Sequence, residues 1–177
     1  MQPQNEKALK MLETALGLED QGGAYYHKAA RECKNQFGRE MFESLAKDES
    51  AHAERIKEIF AGLKGDRPWD RNWEKFKTSS DQLTTMFRDF VTTNKGNIKG
   101  DSSDIKALDV GIDMETKSIS LYEAHLKVAT DPIERAFTEQ MVREEKKHHK
   151  LLSETRLYLT DPSAYYTEVE KSGFDGI

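Results

Sequence analysis

The sequence has one cysteine, four prolines and no long hydrophobic run, and each scarcity excludes a class of structure. A single cysteine, Cys33, cannot form an intrachain disulfide framework, a four-cysteine zinc site or a cysteine-bound iron–sulfur centre. No apolar stretch approaches the roughly 20 residues of a membrane span, and no signal-type segment follows Met1. These absences predict a cytoplasmic protein with no membrane partner. Because so few residues break a helix, we also expect long helices.

The chain also lacks a large excess of either positive or negative charge. The 27 basic and 32 acidic residues give a net charge of -5, and the mean hydropathy is -0.81. Without a basic excess to bind phosphates, no nucleic-acid partner is expected. A length of 177 residues is typical of one domain that is large enough to bury a core.

Four segments of the chain place their inward residues at alternating steps of three and four. These stripes run from Leu9 to Cys33, from Phe42 to Ile59, from Ile105 to Ala129 and from Thr138 to Leu159. Such spacing turns one face of each helix toward a common core. The pattern therefore predicts a four-helix bundle.

The connections between the four segments predict how the helices are arranged. Short polar connections near 34–37 and 130–132 indicate two helical hairpins, while a crossover at about 63–103 is long enough to run the length of a bundle. One long crossover is typical of ferritin-like bundles. We therefore predict an all-α, ferritin-like four-helix bundle over residues 1–160, followed by a short C-terminal tail over 161–177.

Every stripe contains a glutamate, and two stripes also contain a histidine, at positions where an apolar residue is expected. In the two Glu-x-x-His motifs of the chain, both side chains lie on the same side of a helix and can bind one metal ion. Each motif follows a lone inward glutamate by 30 residues, so a hairpin brings the two to the same height. The six candidate metal ligands are Glu19, Glu49, His52, Glu115, Glu145 and His148.

The two halves of the chain carry these residues at equivalent positions, related by an offset of 96 residues. Between 16–57 and 112–153, two positions besides the aligned inward residues are identical. This pattern indicates an internal duplication that has diverged except at its inward polar positions. The offset aligns Glu19 with Glu115, Glu49 with Glu145, His52 with His148 and Tyr26 with Tyr122.

Four glutamates and two imidazoles match the ligand set of a carboxylate-bridged dinuclear site. Four carboxylates balance the charge of two divalent ions, whereas the same carboxylates buried without a cation would cost several kcal/mol each. Oxygen and nitrogen donors suit iron or manganese, and zinc is an alternative. We predict two metal ions; the other interpretation is a polar core that only specifies helix register.

Other polar residues near these positions have two interpretations each. Tyr26 and Tyr122 are either hydroxyl donors to a ligand carboxylate or ordinary core aromatics. Asp48 and Glu144 either accept a histidine N–H from the opposite hairpin or are solvated surface charges. The remaining histidines lie off the stripes and are predicted at the surface: His27, His125 and His149.

These motifs resemble those of the ferritin-like superfamily and, within it, the rubrerythrin-like proteins, over about residues 5–160. The resemblance implies that Glu49 and Glu145 bridge two iron ions, with the other four candidate ligands terminal. Typical rubrerythrins also carry a four-cysteine rubredoxin domain, which this sequence lacks, and a further glutamate where Ser118 stands here. Bacterioferritins carry a haem-binding methionine where this chain has Ser50.

The resemblance implies a di-iron oxidoreductase that reduces hydrogen peroxide or dioxygen, with a role in oxidative stress. With no cysteine-bound iron centre in the sequence, its electrons are expected to come from an external donor protein, and a homodimer is expected. Three alternatives stay open. They are a ferroxidase for iron storage, a di-iron hydroxylase similar to the demethoxyubiquinone class and a non-enzymatic metal-binding bundle.

Overall fold

The computed structural model describes residues 3–174, and it confirms the predicted all-α, ferritin-like bundle. No strand occurs among these residues, and a 3₁₀ turn spans Asn72–Lys75. The final residues of the predicted tail, 175–177, lie outside the described part of the chain. The described α-helices are α1 (Pro3–Glu32), α2 (Gln36–Lys64), α3 (Ser80–Asn94), α4 (Ser102–Leu126), α5 (Pro132–Thr160) and α6 (Pro162–Phe174).

Two hairpins form the bundle, as the short connections indicate. Helix α1 packs against α2, α4 packs against α5, and α1 also contacts α4. The long crossover between the hairpins contains the 3₁₀ turn, which packs on α2, and helix α3, which contacts both α2 and α5. Helix α6, within the predicted tail, packs against α5. None of the described helices has the combination of length and hydrophobicity that a membrane span requires.

Side-chain caps determine where the second helix of each hairpin begins. Asn35 accepts a hydrogen bond from the Gly38 backbone N–H at the start of α2, at 3.2 Å. Asp131 accepts from the N–H groups of Ile133 and Glu134 at the start of α5, where Pro132 occupies the first turn. These caps satisfy backbone donors that have no partner within the helix. They therefore determine the residue at which each of the two helices begins.

The buried apolar side chains form two clusters, with the inward polar residues between them along each helix. On α2, for example, one cluster takes Phe42 and Leu45 while the other takes Ile56 and Ile59, on either side of Glu49 and its motif. The other three helices are divided in the same way, in the same order along α4 and in the reverse order along the antiparallel α1 and α5. The polar layer is therefore enclosed by apolar side chains at both ends.

Aromatic side chains from the crossover seal one of these clusters. The rings of Trp69 and Trp73 lie 6.0 and 5.5 Å from the ring of Phe137 on α5. Both indoles are buried. This packing brings the first part of the crossover into the buried cluster that contains Phe137.

The prediction that His125 lies at the surface is wrong. This side chain is buried near the α4–α5 turn, where its Nε2 lies 2.8 Å from Oε1 of the equally buried Glu134. The stripe on α4 passes through Tyr122, and His125 lies one turn further along, where the turn folds back over it. His27 is exposed, as predicted, and His149 is half-buried.

Gly38 is required by a close approach in the first turn, which gives a test of the packing there. A Cβ atom at position 38 would lie 2.5 Å from Sγ of the buried Cys33. We expect Gly38→Ala to lower the free energy of unfolding by about 1–3 kcal/mol because of this overlap. In a Cys33→Ala background the overlap is gone, and the same change should stabilise α2 by up to about 1 kcal/mol.

Urea unfolding of the wild type, both single variants and the double variant measures this reversal of sign. An equal cost of Gly38→Ala in both backgrounds would contradict the proposed overlap.

Candidate metal centre

The six predicted ligand side chains meet in the centre of the bundle. Helices α1 and α4 each contribute one glutamate, and α2 and α5 each contribute a Glu-x-x-His motif. Their ligand atoms form two groups, in each of which the atoms lie within 4.8 Å of one another. The groups are Glu19, Glu49, His52 and Glu145, and Glu49, Glu115, Glu145 and His148. Glu49 and Glu145 belong to both groups, so their carboxylates lie between two positions that could each hold a cation.

The Nδ1 atom of each histidine faces the carboxylates of its group. His52 Nδ1 lies 3.2 Å from Glu19 Oε2 and 3.1 Å from Glu145 Oε1. His148 Nδ1 lies 3.5 to 3.8 Å from one oxygen of Glu49, Glu115 and Glu145. Both rings are buried, and they stack with their centroids 5.6 Å apart.

The Nε2 atom of each histidine is held by an acid from the opposite hairpin. His52 Nε2 lies 2.8 Å from Glu144 Oε2 on α5, and His148 Nε2 lies 3.1 Å from Asp48 Oδ2 on α2. A carboxylate at this position accepts a hydrogen bond from Nε2–H, so Nδ1 is the ring nitrogen that a metal ion in the cluster would bind. Asp48 and Glu144 are both buried, so they are not solvated surface charges.

Two buried tyrosines orient the lone glutamates in the same crossed manner. The Tyr122 hydroxyl on α4 donates to Glu19 Oε1 on α1 at 2.5 Å, and the Tyr26 hydroxyl on α1 donates to Glu115 Oε1 on α4. In both glutamates Oε1 is therefore occupied, and Oε2 is the oxygen that faces the histidine Nδ1. Each tyrosine thus fixes which oxygen its partner offers to the cluster.

Sequence reasoning missed Arg55, which supports one of the two histidines from behind. Its guanidinium is buried and donates to Glu144 Oε2 at 2.7 Å and to the Phe76 carbonyl oxygen in the crossover. Leu151 stands at the equivalent position of the second half, so the internal repeat gave no signal for a charged residue here. The available clue is a basic residue one turn beyond His52, on the same side of α2.

Ser79 supports the acid behind the other histidine. Asp48 Oδ1 accepts hydrogen bonds from the backbone N–H and the hydroxyl of Ser79, at 2.6 and 2.9 Å, just before α3. Ser79 of the crossover therefore contacts Asp48 directly, whereas Glu144 is held by Arg55, which in turn donates to the Phe76 carbonyl oxygen of the crossover. The outer surroundings of the two groups differ although their inner residues match.

Burial and the charges of neighbouring carboxylates dominate the electrostatics of the two lone glutamates. Burial, followed by the charges of Glu145 and Glu49, raises the pKa of Glu19 well above its ordinary value, and the same causes act on Glu115. Burial alone would lower the pKa of His52, but Glu145 and the other surrounding acids raise it well above the ordinary histidine value. Without a cation, the cluster therefore retains protons that a metal ion would displace.

The atoms that lack hydrogen bonds show whether a metal fits these residues. Within residues 3–174, buried polar atoms without a hydrogen-bond partner include Oε1 of Glu49, both carboxylate oxygens of Glu145 and Nδ1 of His148. All four atoms belong to predicted ligands and face the cluster. A buried oxygen or nitrogen without a partner is costly, and a divalent cation would satisfy all four. The residues present thus fit a dinuclear metal site.

Comparison with protein families gives an independent result. The family model described as Rubrerythrin matches residues 10–155 of the chain. This range contains all six candidate ligands and most of the four-helix bundle. No match was found among curated proteins or among solved structures.

The buried Arg55–Glu144 pair gives a test of how the site is supported. Arg55→Met should leave Glu144 buried without its guanidinium partner and lower the free energy of unfolding by about 3–5 kcal/mol. Arg71→Met removes an arginine from the exposed pair with Glu74, and as a matched control it should change stability little.

The double variant Arg55→Met with Glu144→Gln removes both charges. Its free energy of unfolding should fall by much less than the sum of the losses in the single variants Arg55→Met and Glu144→Gln. Denaturant unfolding of all four variants measures this coupling, and simple additivity would show that the pair does not act as a unit.

Proposed function

The chain belongs to the rubrerythrin family, and we propose that it is a di-iron oxidoreductase that reduces hydrogen peroxide or dioxygen to water. The observation that carries the proposal is the pair of buried ligand groups that share Glu49 and Glu145. Family membership supports iron as the metal, while the same oxygen and nitrogen donors also suit manganese or zinc.

Six side chains would hold two ions. Glu19 and His52 would bind one of them, Glu115 and His148 would bind the other, and the shared carboxylates would lie between both. Four carboxylates and two divalent ions give a site with no net charge, which removes most of the cost of burying the ligands. Each terminal ligand is oriented by a residue from the opposite hairpin, so the geometry depends on the packing of the whole bundle.

When bound, two ferrous ions would supply the two electrons that, with two protons, convert one molecule of hydrogen peroxide into two of water. The protein's own residues provide position and shielding. The apolar clusters at both ends of the polar layer keep bulk water away from the ligands. Burial and the nearby carboxylates raise the pKa of Tyr26 and Tyr122, so both hydroxyls keep their protons and continue to donate.

The electrons consumed must be replaced from outside the bundle: two for each molecule of hydrogen peroxide, and four, with four protons, for each molecule of dioxygen reduced to water. We propose that an external electron-donor protein supplies them, since a cysteine-bound iron centre cannot form within residues 1–177, which contain one cysteine. Tyr26 and Tyr122 serve as positioning residues for the ligand carboxylates. The homodimer, the cytoplasmic location and the role in oxidative stress stay predictions from the sequence.

Metal binding gives the first test of this proposal. Anaerobic loading with ferrous iron should place two ions on each chain, and His52→Ala should reduce that number, as measured by elemental analysis. Removal of the metal with a chelator should lower the melting temperature, since a ligand at about 1,000 times its Kd stabilises the folded state by about 4 kcal/mol. His27→Ala, which removes an exposed histidine, is the matched control and should load like the wild type.

Peroxide reduction gives the second test. Iron-loaded wild type with a reductant should consume hydrogen peroxide, and Glu49→Ala should fall to the rate of the metal-free protein because a shared ligand is lost. Glu43→Ala removes an exposed glutamate from the same helix and should retain the wild-type rate. If iron-loaded wild type consumes peroxide no faster than Glu49→Ala, the proposed reaction is wrong.

A further inference from the structure

A small cavity opens between α1 and α4 and leads to the ligand cluster. Its outer rim includes the exposed side chains of Gln21 and Lys117, and its floor includes Glu49 and Glu115. The cavity volume is about 30 Å³. Since one water needs roughly 10–15 Å³ by the same measure, the cavity has room for a molecule of about two heavy atoms.

The neck of this cavity is formed by two small residues at equivalent positions of the internal repeat. Gly22 follows Glu19 by three residues, and Ser118 follows Glu115 by three residues, so both lie one turn from a candidate ligand. Both are buried and line the cavity. A Cβ atom at position 22 would lie 3.1 Å from Glu49 Oε2, so even a methyl group there would press on a shared carboxylate.

On the other sides, further residues lie between the ligands and the surface. Toward α2 and α5, His52 and His148 are backed by Glu144 and Asp48. Arg55 and Ser79 contact these two acids from outside, and a cavity of about 300 Å³ on this side reaches Arg55 and Glu144 but none of the six candidate ligands. Along the bundle axis, the two apolar clusters enclose the polar layer. In the described part of the chain, the cavity between α1 and α4 thus joins ligand carboxylates to exposed residues.

We propose that the oxidant reaches the cluster through the neck between Gly22 and Ser118, and that the width of this neck determines which oxidants the site accepts. Molecules of two heavy atoms, hydrogen peroxide or dioxygen, fit the cavity, whereas organic hydroperoxides do not. This inference rests on the proposed function, because it identifies the substrate class of the same site. Gly22 and Ser118 are then specificity-determining residues.

The test narrows the neck by substitution and measures how fast a small probe molecule binds at the metal site, without catalytic turnover. Nitric oxide, which has two heavy atoms, is mixed with anaerobic ferrous protein, and its association rate is followed by stopped-flow absorbance. Ser118→Leu should slow association about tenfold, because the side chain must move before the probe can pass. Ser120→Leu makes the same change at an exposed position of α4 and should leave the rate unchanged.

Iron content is measured for every variant, and Ser118→Val replaces Ser118→Leu if the larger side chain prevents loading. A closing variant that keeps two ions per chain and binds nitric oxide as fast as the wild type would overturn the proposal. A second readout compares hydrogen peroxide with tert-butyl hydroperoxide as substrates. Ser118→Gly should raise the relative rate with the larger peroxide, and an unchanged ratio would contradict the role in specificity.

These measurements separate the two proposals. If the wild type binds iron and nitric oxide but consumes no peroxide, the proposed reaction is wrong. The nitric oxide association rates of the neck variants still test the proposed access route. If the wild type consumes peroxide and the closing variants do not slow nitric oxide, the reaction stands and the route is wrong.

Discussion

Four carboxylates buried at one level of a helical bundle are the constraint on which the rest of the structure depends. Each ionised carboxylate loses its hydration there, and each repels the other three. Burial and repulsion raise the pKa values of Glu19 and Glu115, and several ligand atoms lack any hydrogen bond. Two divalent cations would offset both the lost hydration and the mutual repulsion. A cluster that is unfavourable without metal is therefore suited to a dinuclear site.

The neighbours of the cluster keep this strained arrangement in a single geometry. Tyr122 and Tyr26 each occupy one oxygen of a glutamate, and Glu144 and Asp48 each hold one histidine nitrogen. These contacts follow the symmetry of the internal repeat. Arg55 does not, since it supports the acid behind one histidine only. The two ions would therefore experience matching ligands in different outer surroundings.

The fold and the inner residues of the site could be predicted because they depend on local periodicity. Steps of three and four, two Glu-x-x-His motifs and equal distances from each turn determine which side chains meet in the core. Arg55 could not be predicted, because buried arginines are rare and its position becomes polar only when the crossover lies beside it. The burial of His125 depends on how the α4–α5 turn closes over Glu134, which periodicity along one helix does not encode.

The crossed hydrogen bonds around the cluster also bear on the order of folding. Each hairpin is held by contacts between residues close in sequence, but the four contacts that orient the ligands join residues 89 to 103 positions apart. Closing such long loops is slow, so the hairpins should form before these contacts do. Interactions that form after the rate-limiting step slow unfolding more than they speed folding. Bound metal would then act chiefly by prolonging the lifetime of the folded chain.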